Sequence, residues 1–299
     1  MPSQVADYEI TRTVLDDGVL PTLRARRPPR LGDAADPVTI WILGPLARTP
    51  WAVARTRLEP VAGVRSEHLP QWLEAGVGEW AQRPVVWVSA TATVTGTLAS
   101  APDMALPDRL RAIAAAARGA HALHESGQLH GAICPQAVAL TAPTGGDGAT
   151  NPGDGPSAAS GDRPDVFAAP TIGGIGAPAV LAPPALANGE RPLVQIGYPP
   201  IGYVDPQLLR GEGGRWSDIW ALGATIRQVV VGSPPYPGIE DLPVVRALAQ
   251  LLTTPRPAPV ELPPPLSGLV ESCLSMDPEA RPATADEVAQ RLDEAAAKC

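Results

Sequence analysis

Three cysteines are all that the 299 residues contain. Cys134, Cys273 and Cys299 form neither a CxxC nor a Cys/His spacing, and an odd number leaves one thiol over in any disulfide scheme. That usage fits a reducing compartment. Long apolar runs are absent too: nothing approaches the roughly 18 consecutive residues that a membrane-spanning helix requires. The N-terminus lacks the charged-then-apolar pattern of a secretory signal. A soluble, cytoplasmic chain is expected, either by itself or as the cytoplasmic part of a longer membrane protein, with no membrane contact of its own. A basic surplus is also missing, since the formal net charge is -8 and the pI is near 5.0. Nucleic-acid binding depends on basic groups that release counterions, so that class of partner is excluded. The one dense basic run, Arg24-Ala25-Arg26-Arg27-Pro28-Pro29-Arg30, is short and broken by proline, and it reads as a solvated hairpin or loop. Aromatics are scarce at 4%, and seven are Trp against a single Phe. With abundant Ala, Arg, Gly and Pro, that imbalance suggests a GC-rich bacterial genome.

What is present suffices for a globular protein of one large or two modest domains. Hydrophobic residues make up 44% of the chain, enough for a buried core. The 37 Pro and 29 Gly point to long irregular connections. Over the first hundred residues the pattern is of short strands separated by turns, among them Asp7 to Leu15, Val38 to Leu43 and Val85 to Ser89. A helical signal interrupts them near 49–64, where Trp51, Ala54, Leu58, Val61 and Ala62 share a face. Pro60 falls inside it, where proline kinks or ends a helix.

From Leu106 the pattern turns helical. Leu110, Ile113, Ala114, Ala117, Ala120, His121 and Leu123 trace one stripe. A second helix follows Ser217 and is apolar nearly all round, which predicts burial. A third opens on Thr284-Ala285-Asp286-Glu287, the pattern of a capping box. Between the first two, residues 142–165 are nearly all Gly, Pro, Ser, Thr, Ala and Asp. Such a stretch cannot bury enough apolar surface to order itself, and a flexible insertion is expected. The domain expectation is a β-rich region over 1–100 and a helical region over 101–299.

The most informative segment is the run His130-Gly131-Ala132-Ile133-Cys134-Pro135-Gln136-Ala137-Val138-Ala139-Leu140, delivered by the helix that ends at Leu123-His124-Glu125-Ser126-Gly127. Downstream come Gly202-Tyr203-Val204-Asp205-Pro206-Gln207, then Ser217-Asp218-Ile219-Trp220-Ala221-Leu222-Gly223, then Gly232-Ser233-Pro234-Pro235-Tyr236, and finally Cys273-Leu274-Ser275-Met276-Asp277-Pro278-Glu279-Ala280-Arg281-Pro282. In this order the motifs resemble those of the bacterial Ser/Thr protein kinase-like family, strongly from about 105 to 295 and weakly before. The resemblance implies an α+β, two-lobed fold, with a small β-rich lobe and a mainly helical one.

The same resemblance shows which reacting groups are gone. The catalytic-loop Asp is replaced by Ala132, the Lys beyond it by Cys134 and the metal-binding Asn by Ala137. In the glycine-rich loop only Gly18 remains. The strand Lys that contacts the phosphates aligns with Trp41, and the metal-binding D-F-G aligns with Gly174-Ile175-Gly176. From Val166 to Leu186 there is no Asp or Glu. The retained residues are structural: His130, Pro135, Pro206, Gln207, Asp218, Trp220, Gly223 and Arg281. By resemblance, Asp218 would hold the backbone of the catalytic loop, against the alternative that it caps its own helix. Arg281 would pair with Gln207, where the family has Glu.

A degenerate member of the family follows: a pseudokinase that binds neither ATP nor magnesium and no other metal, and that regulates or scaffolds protein partners. A signalling kinase, or a phosphothreonine-binding module docking on Thr144, Thr150, Ser157 or Ser160, is the partner expected. The alternatives are a divergent kinase with weak phosphotransfer and a small-molecule sensor whose remodelled cleft is lined by Trp41 and Trp87.

Overall fold

The computed structural model describes residues 4–16, 20–32, 37–45, 50–141, 179–181, 200–211, 213–253, 257 and 259–299. Gly18, Gly174, the insertion with Thr144, Thr150, Ser157 and Ser160, and the acid-free segment, apart from 179–181, lie outside these residues.

The N-terminal strands are β1 (Gln4–Val5), β2 (Tyr8–Leu15), β3 (Thr22–Arg26) and β4 (Pro37–Pro45), followed by helix α1 (Trp51–Ala62) and strands β5 (Trp72–Trp80) and β6 (Arg83–Ala90). They form one antiparallel sheet in the order β1-β2-β3-β4-β6-β5. Alternation of side chains along each strand divides its residues between two cores. Val38, Ile40 and Ile42 of β4 join Tyr8, Leu23, Ala25 and Trp87 in one cluster. Trp41 and Leu43 of the same strand join Val86, Val88, Ala54 and Leu58 in the larger one. Tyr8 meets the Trp87 ring edge-on and shares a 2.7 Å hydrogen bond with Ser89. Gly76 and Gly78 of β5 allow this packing, because a Cβ at either would come within 3.1 Å of the Trp87 indole.

The basic run lies in a hairpin, one of the two forms expected for it: Arg24 and Arg26 belong to β3, an interior strand paired antiparallel on both sides, and Arg26 is exposed. Arg30 is held by Asp7 and Glu74. Helix α1 runs through Pro60 to Ala62. Only its last turn loses a backbone donor, and buried Leu58 and Val61 on either side keep that turn packed.

The rest of the chain contributes β7 (Val94–Thr97), α2 (Leu106–Glu125), β8 (Val138–Thr141), β9 (Ala179–Leu181), α3 (Arg215–Val231), α4 (Val244–Thr253), α5 (Pro264–Cys273) and α6 (Ala285–Ala296). Strands β7, β8 and β9 make a second antiparallel sheet in that order. The whole is an α+β arrangement. Helix α2 buries its Leu110, Ile113, Ala117 and Ala120 stripe and lies along α6, to which Arg118 is paired through Asp293. Helix α3 is buried without interruption from Asp218 to Arg227. In α6 the Thr284 hydroxyl accepts from Glu287 N–H at 3.1 Å. The Glu287 carboxylate reaches one residue further back than a regular capping box and takes the Ala283 N–H at 3.0 Å. Helices α4 and α5, ten residues each, follow directly on Pro243 and Pro263. Pro264 sits at the first position of α5, where a missing N–H costs nothing.

Candidate functional site

Helix α2 ends at Glu125, and the chain turns through Gly127, whose φ of 75° lies in the left-handed region that glycine tolerates. The segment then crosses the N-terminus of α3. There the buried Asp218 carboxylate accepts the His130 N–H at 2.9 Å, the Gly131 N–H at 2.7 Å and a bond from His124 Nε2 at 2.8 Å. The carboxylate thus serves the loop and not its own helix, whose N-cap is Gly214. Burial pushes the Asp218 carboxyl upward, but the His124 hydrogen bond, the nearby His124 and His130 and the loop amide outweigh it and hold the group below the usual carboxylate value. His130 Nδ1 accepts the Ala132 N–H at 3.2 Å, which assigns the ring proton to Nε2 when the ring is neutral. The loop is closed further on by Ala137 N–H to the Cys134 carbonyl, 2.9 Å, and by Ala99 N–H to the Pro135 carbonyl, 3.2 Å.

Within this frame Ala132 is 1% exposed, and Cys134 and Ala137 are fully buried. All three belong to the main core together with Ile133, Tyr203 and Trp220. The two methyl groups and the thiol that these positions carry are enclosed by that core. Trp41 is also fully buried in that core, and its indole N–H has no partner among the described residues. Trp87 is in the other cluster, since Trp41 pairs with Val88 and not with Trp87, and neighbours along a strand face opposite ways. A single cleft lined by both indoles is therefore excluded. Lys298, just beyond the end of α6, is the chain's only lysine. Among the described residues no group of three or more His, Cys, Asp or Glu side chains is placed to hold a metal ion.

A second constellation joins the segment after Pro200 to the last helices. Arg281 does not pair with Gln207. Its guanidinium grips Asp205 in two-pronged fashion, Nη1 to Oδ2 at 2.6 Å and Nη2 to Oδ1 at 3.2 Å, with both side chains wholly buried. It also donates to the carbonyls of Ser275 and Trp216 and lies 5.1 Å from the centre of the Trp220 ring, which stacks on Tyr236. Asp205 in turn accepts from Ser217 Oγ and from the Gln207 N–H. Gln207 turns its amide away to the Met276 carbonyl at 2.8 Å. An amide offers guanidinium one neutral acceptor, whereas a carboxylate offers two charged ones, so the arginine takes the acid two residues upstream. Asp205 was visible in the motif as a plain acid. Its pairing with Arg281 comes from the tertiary geometry, which the motif does not carry.

Gly223 sits where α3 crosses α5, and a Cβ there would lie 2.5 Å from the Cys273 Cβ. Buried Cys273 has its thiol pushed up to about 12 by desolvation, an inert packing group. Pro135 is buried with the loop, and Pro206 lies buried beside Asp205. No helix among the described residues is long and apolar enough to cross a membrane.

No family model matches the chain. A stretch of 91 residues, 29% of the chain, is 33% identical to mitogen-activated protein kinase kinase 3 of Arabidopsis thaliana, and it covers 17% of that protein. The match supports a kinase-like relationship at that level and nothing finer.

Proposed function

We propose that the chain is a catalytically inactive, kinase-like module that regulates or scaffolds by binding partner proteins. The observation that carries this reading is the fate of the reacting positions. Ala132, Cys134, Ala137 and Trp41 are packed into the main core, while Asp218 still holds the loop backbone around them. Phosphoryl transfer depends on positioning and on charge stabilisation by the groups that these residues replace. Losing the frame would suggest decay. Keeping the frame while filling the site with apolar side chains suggests a surface put to another use. The ordered series of motifs and the partial match to a kinase kinase support the same two-lobed reading.

The test is incubation of the purified chain with labelled ATP, magnesium or manganese and a generic acceptor. No incorporation is expected. A parallel thermal titration with ATP and magnesium should leave the midpoint unmoved, whereas a ligand at 100 times its Kd would stabilise by about 2.7 kcal/mol. Transfer that disappears on substitution within this chain would overturn the reading.

A further inference from the structure

One row of residues crosses the six-stranded sheet on the face of Trp41. Arg12 stands opposite Arg24, Arg24 opposite Thr39, and Thr39 opposite Ala90. Beyond Ala90 the chain leaves this sheet, and by Val94 it has entered the second one. The three-residue passage, 91–93, is the covalent link between the two sheets. Its backbone bonds to side chains of the row. The Thr39 hydroxyl donates to the Ala92 carbonyl at 2.6 Å and accepts the Val94 N–H at 3.2 Å. Arg24 Nη2 donates to the Val94 carbonyl at 3.0 Å. Two side chains thus use three backbone groups at the junction. Thr39 is fully buried, and a hydroxyl that both donates and accepts has no close substitute there.

The junction continues into the candidate site. Val94 begins β7, which pairs with β8 through Val94 and Thr141, Gly96 and Leu140, and Thr97 and Ala139. Thr95 Oγ1 adds a bond to the Leu140 carbonyl, and Ala99 N–H reaches the Pro135 carbonyl. Strand β8 is the direct continuation of the His130 to Ala137 loop. We infer that Thr39 and Arg24 form a latch that fastens the second sheet to the first and, through β7 and β8, fixes where the loop at His130 sits. This goes beyond the scaffold reading and does not depend on it. The fastening is buried at Thr39 and part-buried at Arg24. A hydrogen-bonded path through β7 and β8 connects it to the loop.

Arg24 is the weaker point. It is partly desolvated and faces Arg12 directly across the strand pair, and like charges so placed repel. Burial, and then the Arg12 charge, lower its affinity for a proton. Its only strong bond from Nη2 is to a neutral carbonyl.

Hydrogen exchange read by mass spectrometry on the whole chain tests the latch with three variants. Thr39→Val keeps the shape and removes the hydroxyl, Arg24→Met removes the guanidinium, and Thr39→Ser keeps the bonds. Exchange over 91–97 is expected to quicken about tenfold in the methionine variant, which loses one hydrogen bond, and by more in the valine variant, which loses two. Exchange over 130–141 should rise with it, while α5 stays protected and the serine variant matches the parent. Unchanged protection over 91–97 would overturn the latch, and a rise confined to 91–97 would overturn its coupling to the loop. Should the valine variant fail to fold, Arg24→Met decides alone, because its side chain is only part-buried.

Discussion

Asp205 and Arg281 form a fully buried, two-pronged ion pair, 2.6 Å at its shorter contact, that ties the segment before α3 to the turn before α6. The expected partner, Gln207, is two residues away and occupied elsewhere. The charge-assisted bond therefore runs to Asp205 and not to the residue the resemblance implied.

Removing one partner of such a pair strands the other charge in the core. Asp205→Asn is expected to destabilise by about 3–5 kcal/mol, the usual cost of breaking a buried pair. Gln207→Glu in the same background should not rescue it. A carboxylate at 207 loses the donor to Met276 and adds a buried negative charge away from the guanidinium. Urea unfolding of the single and double variants checks this. Recovery of parental stability by the double variant would show that 207 can take over the pairing.

Asp218 sets a pH dependence whose sign follows from its environment. Its folded carboxyl titrates below the ordinary 3.8, so the unfolded chain binds the proton more readily. The stability gained is complete above that ordinary value and is lost as pH falls through the depressed folded one. Acid unfolding followed by circular dichroism should therefore show less dependence on pH below about 4 in Asp218→Asn. The variant should already be weakened at neutral pH, because the amide brings a donor against the two loop N–H groups. An unchanged acid profile in the variant would assign the loss to other groups.

Gly223 tests packing in place of charge. With only 2.5 Å between its missing Cβ and the Cys273 Cβ, Gly223→Ala forces α3 and α5 apart. A cost of about 1–3 kcal/mol is expected for such overpacking, despite the better helix propensity of alanine. Cys273→Ala should give no relief, because the atom in the way is the one alanine retains. A melt of the double variant near that of Cys273→Ala alone would refute the clash.

How much of this was open to reading depends on what each residue reports. Strands β2, β4 and β6 carry β-branched and aromatic runs and were legible. Strand β3 was not, because three of its five residues are Arg24, Ala25 and Arg26, and only tertiary pairing makes Thr22 to Arg26 an interior strand. Asp218 and Gly223 could be named from their motif, and the geometry adds what each touches. Asp205 and Thr39 were missed because a sequence pattern cannot show which of two nearby acceptors a buried arginine takes, or which hydroxyl faces a chain junction. The burial of Ala132, Cys134, Ala137 and Trp41 is likewise a tertiary fact. Small or apolar residues at those places were equally compatible with an open, empty cleft.

That burial gives the last expectation its force. Installing the groups that the resemblance would place there, as Ala132→Asp with Ala137→Asn and Trp41→Lys, should cost the fold before it confers any chemistry. The aspartate would place a carboxylate in a site 1% exposed, and a buried charge with no partner destabilises by several kcal/mol or protonates instead. Replacing the fully buried Trp41 removes about 3–5 kcal/mol of packing even before a charge is added. Together these exceed much of the ~5–15 kcal/mol that holds a typical domain folded. Thermal unfolding of the three single variants and of the triple variant, each alongside the labelled-ATP assay, separates the two possibilities. Large losses of stability without incorporation are expected. A triple variant that melts like the parent and transfers phosphate would show that the cleft is open and that only its side chains had been changed.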